Sequence, residues 1–354
     1  MRGDRSRLKL AGMNSIPKPS QEPRPAFGSV LAPTMTLARY QNGAWGRFET
    51  RPCAPIEPHP AAHVLHYSST CFEGFKAYRW ADGSINVFRM DRHIERMRQS
   101  ARSLVLPEPD PRQLEDMIRT AIDRNRDVVP EAPGALYLRP ILFGTTPNIG
   151  AAGAAATEAS LIVLASPVWD YFSGAGGMKA LRIYIEDVNA RTATQTGRVK
   201  TGGNYAAALG PTLEARRKYK VDQVLFCPGG SVQETGASNF LLLRDGQVLT
   251  RSLDSTFLHG VTRDSVLTLA REEGYRVEER IFDVAEMLEW VRDGEAALSG
   301  TAAVLAGVGT LIHHGEEVRV GSGEVGPHTR KLRERLVSIQ CGESRDTHGW
   351  TQRV

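Results

Sequence analysis

Gly197-Arg-Val-Lys-Thr-Gly-Gly-Asn-Tyr205 opens the most informative segment of the chain, which ends with Gln233-Glu-Thr-Gly-Ala-Ser-Asn-Phe240. Lys200 follows closely on a basic residue and precedes two glycines, which lack a Cβ and let backbone or a ligand come close. A crowded lysine near another cation is shifted toward its neutral, nucleophilic form, which Schiff-base chemistry with a carbonyl requires. The alternative is a surface lysine in a glycine turn, because Lys-Thr-Gly-Gly is also ordinary loop composition.

Two further features accompany this lysine. Glu234 lies between two short apolar runs, Val224–Phe226 and Phe240–Leu243. A carboxylate held between buried strands is costly unless it has a cationic partner. The segment Leu298-Ser-Gly-Thr-Ala-Ala303 ends another apolar run with small residues and a hydroxyl. That composition suits a cradle of backbone N–H groups around a phosphate.

Length and composition describe an ordinary globular protein. The chain has 354 residues, of which 41% are apolar and 24% charged, and its formal net charge is +4. Because the 44 Lys and Arg are interleaved with 40 Asp and Glu, no nucleic-acid partner is expected. No run approaches the ~18 apolar residues of a membrane span, and the N-terminus lacks an apolar signal core. We therefore expect a cytoplasmic protein with no membrane partner.

The cysteines argue for the same compartment. The four of them, Cys53, Cys71, Cys227 and Cys341, are too few and too scattered for a disulfide framework or a Cys-x-x-Cys metal motif. We interpret them as free thiols in a reducing compartment, and no metal site is predicted.

The length also predicts two domains, since it exceeds what one hydrophobic core usually organises. Residues 1–24 are polar, basic and Pro-containing, and are expected to form a disordered tail. A small N-terminal α/β domain is predicted over 25–167, a linker over 168–179 and a larger C-terminal α/β domain over 180–340. The polar stretch 341–354 is expected to fray.

Periodicity and turn residues predict the main elements. In the N-terminal domain these are a hairpin turn at Ala81–Ser84, a helix capped by Asp91, a helix from Pro111, and strands over Leu136–Phe143 and Ser160–Ala165. The C-terminal domain is predicted to contain a helix over Ala206–Lys218, a hairpin turn at Arg244–Gln247 and a helix that opens at Gly260–Thr262. The first N–H groups of that last helix can hold an anion, and capping by Thr262 is the alternative.

In this order, these features resemble the branched-chain aminotransferases, pyridoxal 5′-phosphate enzymes of fold type IV. Four other motifs share the resemblance, which spans about Phe27 to Ile339: His66-Tyr-Ser-Ser-Thr-Cys-Phe-Glu-Gly-Phe-Lys-Ala-Tyr78, Val87-Phe-Arg-Met-Asp-Arg92, Leu136-Tyr-Leu-Arg-Pro140 and Leu258-His-Gly-Val-Thr-Arg-Asp264. The resemblance implies an α+β fold of two α/β domains, in the D-amino acid aminotransferase-like architecture. It also implies that pyridoxal 5′-phosphate is the cofactor and that L-leucine, L-isoleucine or L-valine donates its amino group to 2-oxoglutarate.

The resemblance further implies a role for each matching residue. Lys200 would hold the cofactor as a Schiff base and carry the proton, and Glu234 would pair with the pyridine nitrogen. Tyr205 would hold the 3′-oxygen, and Leu258 would pack on the ring. The phosphate would be bound by Arg89, Val261, Thr262 and Thr301. The substrate would be bound by Tyr67, Phe72, Tyr137, Arg139, Tyr171, Ala302 and Ala303.

A homodimer with shared active sites is implied as well. In the family, Tyr67 is contributed across the dimer interface, and the loop Thr145–Ala151 reaches the partner's pocket.

Several of these residues also have plainer interpretations. Arg89 could pair with Asp91 or Glu95 on the following helix, and the aromatic residues could be core residues. Tyr137 and Arg139 alternate along a strand and share one face, but the alternative is a strand edge with a solvated arginine.

The chain departs from the family pattern at three places. The approach to Lys200, Ala190-Arg-Thr-Ala-Thr-Gln-Thr-Gly197, lacks the usual Gly-Gly pair, His259 stands where proline is common, and Ala237 replaces a hydroxyl or glycine. These changes bear on the substrate rather than the reaction. The alternatives are a transaminase for an unusual, D- or amine substrate, and a non-catalytic cofactor-binding protein.

Overall fold

The computed structural model describes residues 25–169, 173–174 and 177–354, so the predicted tail 1–24 and Tyr171 lie outside the described residues. The strands of the first half are β1 (Thr34–Gln41), β2 (Ala44–Trp45), β3 (Glu49–Pro52), β4 (Thr70–Phe72), β5 (Phe75–Arg79), β6 (Ile85–Phe88), β7 (Ala135–Gly144) and β8 (Ala159–Val168). Its helices are α1 (His63–Tyr67), α2 (Met90–Ser103) and α3 (Pro111–Arg124).

The second half begins with the short paired strands β9 (Ser173–Gly174) and β10 (Gly177–Met178). Its other strands are β11 (Leu181–Glu186), β12 (Gln223–Phe226), β13 (Asn239–Arg244), β14 (Gln247–Thr250), β15 (Arg276–Glu279), β16 (Glu295–Gly300), β17 (Val304–His313), β18 (Glu316–Arg319) and β19 (Thr351–Arg353). The helices are α4 (Gly202–Tyr219), α5 (Val261–Glu272), α6 (Val284–Trp290) and α7 (Pro327–Gln340).

Nine strands form the first sheet, in the order β19-β6-β5-β7-β8-β1-β2, with β3 beside β1 and β4 beside β7. Helices α2 and α3 cover one face with their apolar sides, and α3 begins at Pro111 because Asp110 caps it through the Gln113 N–H. Apolar side chains dominate the core between sheet and helices. Its largest members include Phe75, Met97, Leu114, Ile118 and Leu136.

Eight strands form the second sheet, in the order β12-β11-β17-β16-β13-β14-β15, with β18 beside β17. Strand β11 runs parallel to both of its neighbours, and β14 runs parallel to β15. Helices α5 and α7 pack against each other and against this sheet. The predicted division at 168–179 stays a prediction, and its support is that β8 and β11 belong to different sheets.

The two sheets meet around β4 and the start of α4. The Phe72 N–H donates to the Lys200 carbonyl at 3.0 Å, and the Thr201 hydroxyl donates to the Thr70 carbonyl at 2.7 Å. The Lys200 N–H in turn donates to Ser100 Oγ of α2 at 3.1 Å. Residues from both halves of the chain therefore converge on one place.

The helices from Pro111 and Gly260, the hairpin turns and the β7 and β8 strands are confirmed, but one local prediction and two of the alternatives are wrong. Asp91 does not cap α2, since its N-cap is Arg89 and Asp91 lies in the first turn, where a carboxylate favours the helix dipole. The Gly202–Gly203 pair begins α4 rather than forming a turn. Thr262 does not cap α5, because the N-cap is Gly260.

The prediction that 341–354 frays is also wrong. Strand β19 pairs antiparallel with β6, and the Trp350 carbonyl accepts a hydrogen bond from the Arg89 N–H at 2.6 Å. Trp350 is buried, with its ring edge against Phe88. The polar composition of this stretch gave the wrong prediction, because a short polar strand can be stabilised by pairing with the edge of an existing sheet. Among the described residues, no helix combines the length and apolar composition that a membrane crossing needs.

Candidate active site

Lys200 occupies a fixed position at the junction of the two sheets. Its backbone is held from both sides by Phe72 and Ser100, and the residue is half-buried. The next residue, Thr201, is the N-cap of α4, so the backbone geometry is set by the start of that helix. A solvent-exposed glycine turn, the alternative that the sequence left open, is therefore wrong.

The Lys200 amine lies among aromatic groups. Its Nζ donates to Tyr205 Oη at 2.9 Å and lies 5.0 Å from the Phe72 ring centroid. Within the described part of the chain, no carboxylate forms an ion pair with this amine. Burial alone would raise the pKa of the Tyr205 phenol, but the adjacent Lys200 amine lowers it below its ordinary value. The phenol oxygen is thus prepared to accept a hydrogen bond.

A chain of contacts extends from this amine to β7. The Arg139 guanidinium lies 4.5 Å over the Phe72 ring, and its Nη2 donates to Tyr137 Oη at 2.9 Å. Gly74 is required here, because a Cβ on it would come within 1.9 Å of the Tyr137 oxygen. The prediction that Tyr137 and Arg139 share one face is confirmed. Arg139 Nε is buried without a hydrogen-bond partner among the described residues, so the guanidinium keeps donor capacity.

Glu234 is buried, with 3% of its surface exposed, and its two oxygens receive three donors. Oε1 pairs with Arg191 Nη2 at 2.7 Å and accepts from the Leu258 N–H at 2.9 Å, while Oε2 accepts from Asn239 Nδ2 at 3.1 Å. Burial raises the pKa of Glu234 to about 7, although Arg191 favours the ionised form. The carboxylate thus lies in a desolvated position close to Lys200 and Tyr205.

Arg191 is a residue that the sequence reasoning missed. It comes from the segment before Lys200 and is itself buried, with Nη2 also donating to the Gly197 carbonyl at 3.0 Å. The signal was present, because a buried Glu234 demands a cation and Arg191 lies in the approach to Lys200, Ala190–Gly197. The distance between Arg191 and Glu234 along the chain did not identify Arg191 as the partner of that carboxylate.

An anion-binding arrangement forms where Arg89 meets the start of α5. Arg89 is buried, and its guanidinium donates to Ser265 Oγ at 2.9 Å and to Asp264 Oδ2 at 2.8 Å. Pairing with Asp91 or Glu95 is therefore wrong. Gly260 provides no side chain to cap the first N–H groups of α5, at Val261 and Thr262, and both of these residues are buried. Helix N–H groups beside a guanidinium favour a phosphate.

Thr301, Ala302 and Ala303, which follow β16, contact residues on or next to β5 and on α7. The Thr301 hydroxyl donates to the Gly74 carbonyl at 2.8 Å, and the Ala302 carbonyl accepts from Lys76 Nζ at 3.2 Å. The Ala303 carbonyl accepts from Arg333. Tyr67 is not part of the Lys200 cluster, since it lies on α1 and its hydroxyl donates to the Ile149 carbonyl.

A buried charged network beside this region was also missed by the sequence reasoning. Glu73 accepts from Arg96 Nε at 2.6 Å and Nη2 at 2.9 Å, and its Oε2 lies 2.7 Å from His93 Nδ1. Arg96 Nη1 also donates to the His259 carbonyl at 3.0 Å. The network therefore links the β4–β5 connection and α2 to the loop that carries Leu258. A buried carboxylate in the motif at residues 66–78 was its only sequence signal.

Protonation of this network follows from its surroundings. Burial alone would raise the pKa of Glu73, but Arg96 and His93 together hold it well below its usual range. Burial lowers the pKa of His93, so its imidazole is neutral at pH 7. The network is thus an ionised Glu73–Arg96 pair with a neutral histidine.

We expect Glu73→Gln to lower the free energy of unfolding by about 3–5 kcal/mol at pH 7, because Arg96 would remain buried without its counter-charge. A carboxyl whose folded pKa is depressed stabilises above its unfolded pKa of about 4.3, and this contribution is lost as the pH falls. The difference between variant and wild type should therefore begin to shrink near pH 4 in urea titrations and continue to shrink as the pH falls further. Glu95→Gln, on the exposed side of α2, is the control and should stay within about 0.5 kcal/mol. A pH-independent difference would contradict the ionised pair.

The structure thus brings together a half-buried lysine beside a phenol, a desolvated carboxylate, and an arginine at the start of a helix. The family model "Amino-transferase class IV" matches residues 70–309, and the chain belongs to this family. The resemblance found in the sequence, and the α+β fold that it implied, are confirmed.

Individual relatives are more specific. The chain is 38% identical to the branched-chain-amino-acid aminotransferase of Mycobacterium tuberculosis, over 93% of this chain and 92% of the relative. It is 34% identical to branched-chain-amino-acid aminotransferase 2 of Bacillus subtilis, over 97% of this chain and 96% of the relative. Among solved structures, the T.th. branched-chain amino acid aminotransferase complexed with N-(5′-phosphopyridoxyl)-L-glutamate matches with a TM-score of 0.73 at 26% identity, covering 89% of this chain and 97% of that one.

Proposed function

We propose that this protein is a branched-chain amino acid aminotransferase that uses pyridoxal 5′-phosphate. It transfers the amino group of L-leucine, L-isoleucine or L-valine to 2-oxoglutarate. The observation that carries the proposal is the Lys200 amine, held 2.9 Å from Tyr205 Oη at the junction of both sheets and close to the buried Glu234. The near full-length identity to branched-chain aminotransferases supports the substrate class.

The donor set fits the three ends of this cofactor. A phosphate suits Arg89 and the uncapped N–H groups of α5, where Val261 and Thr262 begin the helix. A pyridine nitrogen suits the desolvated Glu234 carboxylate, and an aldehyde suits the Lys200 amine. When bound, pyridoxal 5′-phosphate supplies the electron sink that stabilises negative charge on the substrate Cα.

In this proposal each side chain has a defined role. Lys200 Nζ holds the cofactor and then carries a proton to and from the substrate. Glu234 keeps a proton on the pyridine nitrogen, and Tyr205 Oη orients the ring through the 3′-oxygen. Leu258 packs on the ring, while Thr301 completes the phosphate cup with Arg89, Val261 and Thr262.

The substrate would occupy the space between Phe72 and Arg139. Phe72 provides apolar surface for the side chain, and the partner's Tyr67 would add to it. The predicted role of Tyr171 lies outside the described residues. Tyr137 and the backbone N–H groups at Ala302 and Ala303 bind the α-carboxylate. Arg139 retains a free donor, Nε, among the described residues, which suits the second carboxylate of glutamate.

A half-reaction panel tests the proposed activity. The purified protein is expected to carry a bound chromophore whose absorption shifts with L-leucine, L-isoleucine, L-valine and L-glutamate, and not with D-alanine or an aryl amine. An apolar pocket discriminates by only about 1–3 kcal/mol per methylene, so weaker conversion of methionine or phenylalanine agrees with the proposal. If the three branched donors all fail while another amine succeeds, the substrate is a specialised one. Absence of any chromophore would favour a non-catalytic role.

We also propose a homodimer with shared active sites. Thr36 of β1 donates to the Met117 carbonyl of α3, so its neighbours Met35 and Leu37 point to the opposite sheet face. Of the described helices, the short α1 packs on that face through Val64, and the face carries a groove of about 730 Å³. Ile149, in the predicted partner loop, has 69% of its surface exposed. An exposed apolar tip beside an open groove fits a second copy of this chain.

Light scattering should give a dimer, and Ile149→Asp should lower kcat/KM by about tenfold or more, as loss of an apolar pocket contact does. Ile281→Asp is the matched control, because Ile281 lies in the second half of the chain and is similarly exposed. This variant should keep the wild-type kcat/KM. Mixing the Ile149→Asp and Lys200→Ala variants should restore part of the activity, because some mixed dimers would contain one intact site. A fully active monomer, or no recovery on mixing, would contradict shared sites.

The proposed location is the cytoplasm. All four cysteines are free thiols, and Cys71, Cys227 and Cys341 are buried. Unpaired buried cysteines are typical of proteins from a reducing compartment.

A further inference from the structure

Three potential metal ligands converge at the edge of the second sheet, away from the residues assigned above. His313 is the last residue of β17, and His314 follows it in the tight turn to β18. Asp187 follows β11, which runs parallel to β17 as its direct neighbour. Both imidazoles point their Nε2 atoms at the same carboxylate oxygen, Asp187 Oδ2, at 3.0 Å for His313 and 3.1 Å for His314.

We propose that Asp187, His313 and His314 bind a divalent transition-metal ion of the Zn²⁺ type. Ligand atoms bonded to such an ion at about 2.1 Å lie about 3.0 Å apart at right angles and about 3.4 Å apart at the tetrahedral angle. The two measured N–O separations already match this spacing, and all three ligand atoms lie within 4.8 Å of one another. An ion can therefore enter between them with only small side-chain rotations.

The framework around the three ligands is well held. The Gly229 N–H donates to the Asp187 carbonyl at 2.9 Å, and β11 and β17 pair through Tyr184 and Ile312. The two imidazole rings lie 3.9 Å apart, centroid to centroid. Little conformational freedom would be lost on binding, which favours affinity.

The composition of the site selects the kind of ion. Two imidazoles and one carboxylate suit Zn²⁺, Co²⁺, Ni²⁺ or Cu²⁺, whereas Mg²⁺ and Ca²⁺ prefer oxygen ligands alone. The His314 side chain is 68% exposed, while those of Asp187 and His313 are about one-quarter exposed or less. The open side leaves room for water to complete the coordination.

An ion bound at this cluster would affect the segment that leads to Lys200. Asp187 begins the segment that contains Arg191, the partner of Glu234, and ends at Lys200. No sequence pattern indicated the site, because the aspartate is far from the histidine pair along the chain and only the β11–β17 pairing unites them. An ion here would fasten the start of that segment to the β17–β18 turn.

The test uses the full chain without an affinity tag, stripped of metal by chelator and then dialysed against Zn²⁺ or titrated with Co²⁺. We expect one ion per chain, a visible Co²⁺ absorption band and a rise in melting temperature with Zn²⁺. His313→Ala and His314→Asn should each weaken binding by at least about tenfold and remove the Co²⁺ band. Asparagine tolerates the left-handed φ of 50° at His314, so this second variant keeps the turn intact.

His59→Ala is the matched control, since His59 is exposed and lies outside the cluster. It should bind the ion as the wild type does. Circular dichroism establishes that each variant is folded before binding is compared. The proposal is overturned if the wild type binds no Zn²⁺. It is also overturned if the His314→Asn variant binds Zn²⁺ with the affinity and stoichiometry of the wild type.

Discussion

Replacing Lys200 by alanine is expected to abolish transamination, a loss of at least about 10⁴-fold, while the cofactor still binds through its phosphate. The amine is needed twice, to hold the cofactor and to carry the proton, and no other described amine is hydrogen-bonded to Tyr205 in its place. The Arg89 and α5 arrangement is independent of Lys200, so phosphate affinity should survive. Stopped-flow absorption of the half-reaction with L-leucine measures the loss directly.

Lys179→Ala is the control, because Lys179 is an exposed lysine of the same half, paired with Asp222 at the surface. It should react at the wild-type rate. Borohydride reduction of the wild type followed by peptide mapping should label the peptide that contains Lys200. A label on any other lysine would overturn the assignment, as would appreciable turnover by the Lys200→Ala protein.

Sequence reasoning succeeded where a signal is local. The apolar spacing of α3, its Asp110 cap and Pro111 fix that helix without tertiary help. The Asp-Gly turns at residues 82–83 and 245–246 require the positive φ that glycine supplies, and both hairpins form as predicted. The motifs around Lys200 identified the family, and the family model and the relatives confirm it. The individual roles of the site residues stay predictions.

Sequence reasoning failed where the burial or pairing of a residue depends on partners that are distant in the chain. Glu73, His93 and Arg96 are brought together by the packing of α2 beside the β4–β5 turn, and Arg191 meets Glu234 only in the folded chain. Isolated charged residues in a sequence read as solvated surface, because burial of a charge is decided by its partner. The C-terminal stretch was misjudged for the same reason, since β19 is stabilised by the free edge of β6 rather than by its own composition.

Glu234→Gln is expected to lower kcat by about 10² or more with little change in KM, as removal of an electrostatic contact to the reacting system commonly does. Glutamine keeps the volume and can still accept from the Leu258 N–H, so the fold should persist, although Arg191 loses its counter-charge and the variant should be less stable. What it removes is the negative charge that holds a proton on the pyridine nitrogen. Steady-state kinetics with L-leucine and 2-oxoglutarate measure the effect, and the absorption spectrum reports whether the cofactor is retained.

Glu317→Gln is the control, because Glu317 is an exposed glutamate on β18 of the same sheet, paired only with Arg182 among the described residues. It should leave kcat unchanged. The charge-neutral variant separates two explanations for the burial of Glu234. A purely structural carboxylate would give near-wild-type turnover in the folded variant, with any loss appearing in stability alone. A carboxylate that acts on the cofactor would lose turnover while the protein stays folded and coloured. Because Arg191 and Asn239 hold the Glu234 oxygens in a desolvated position, we expect the second result.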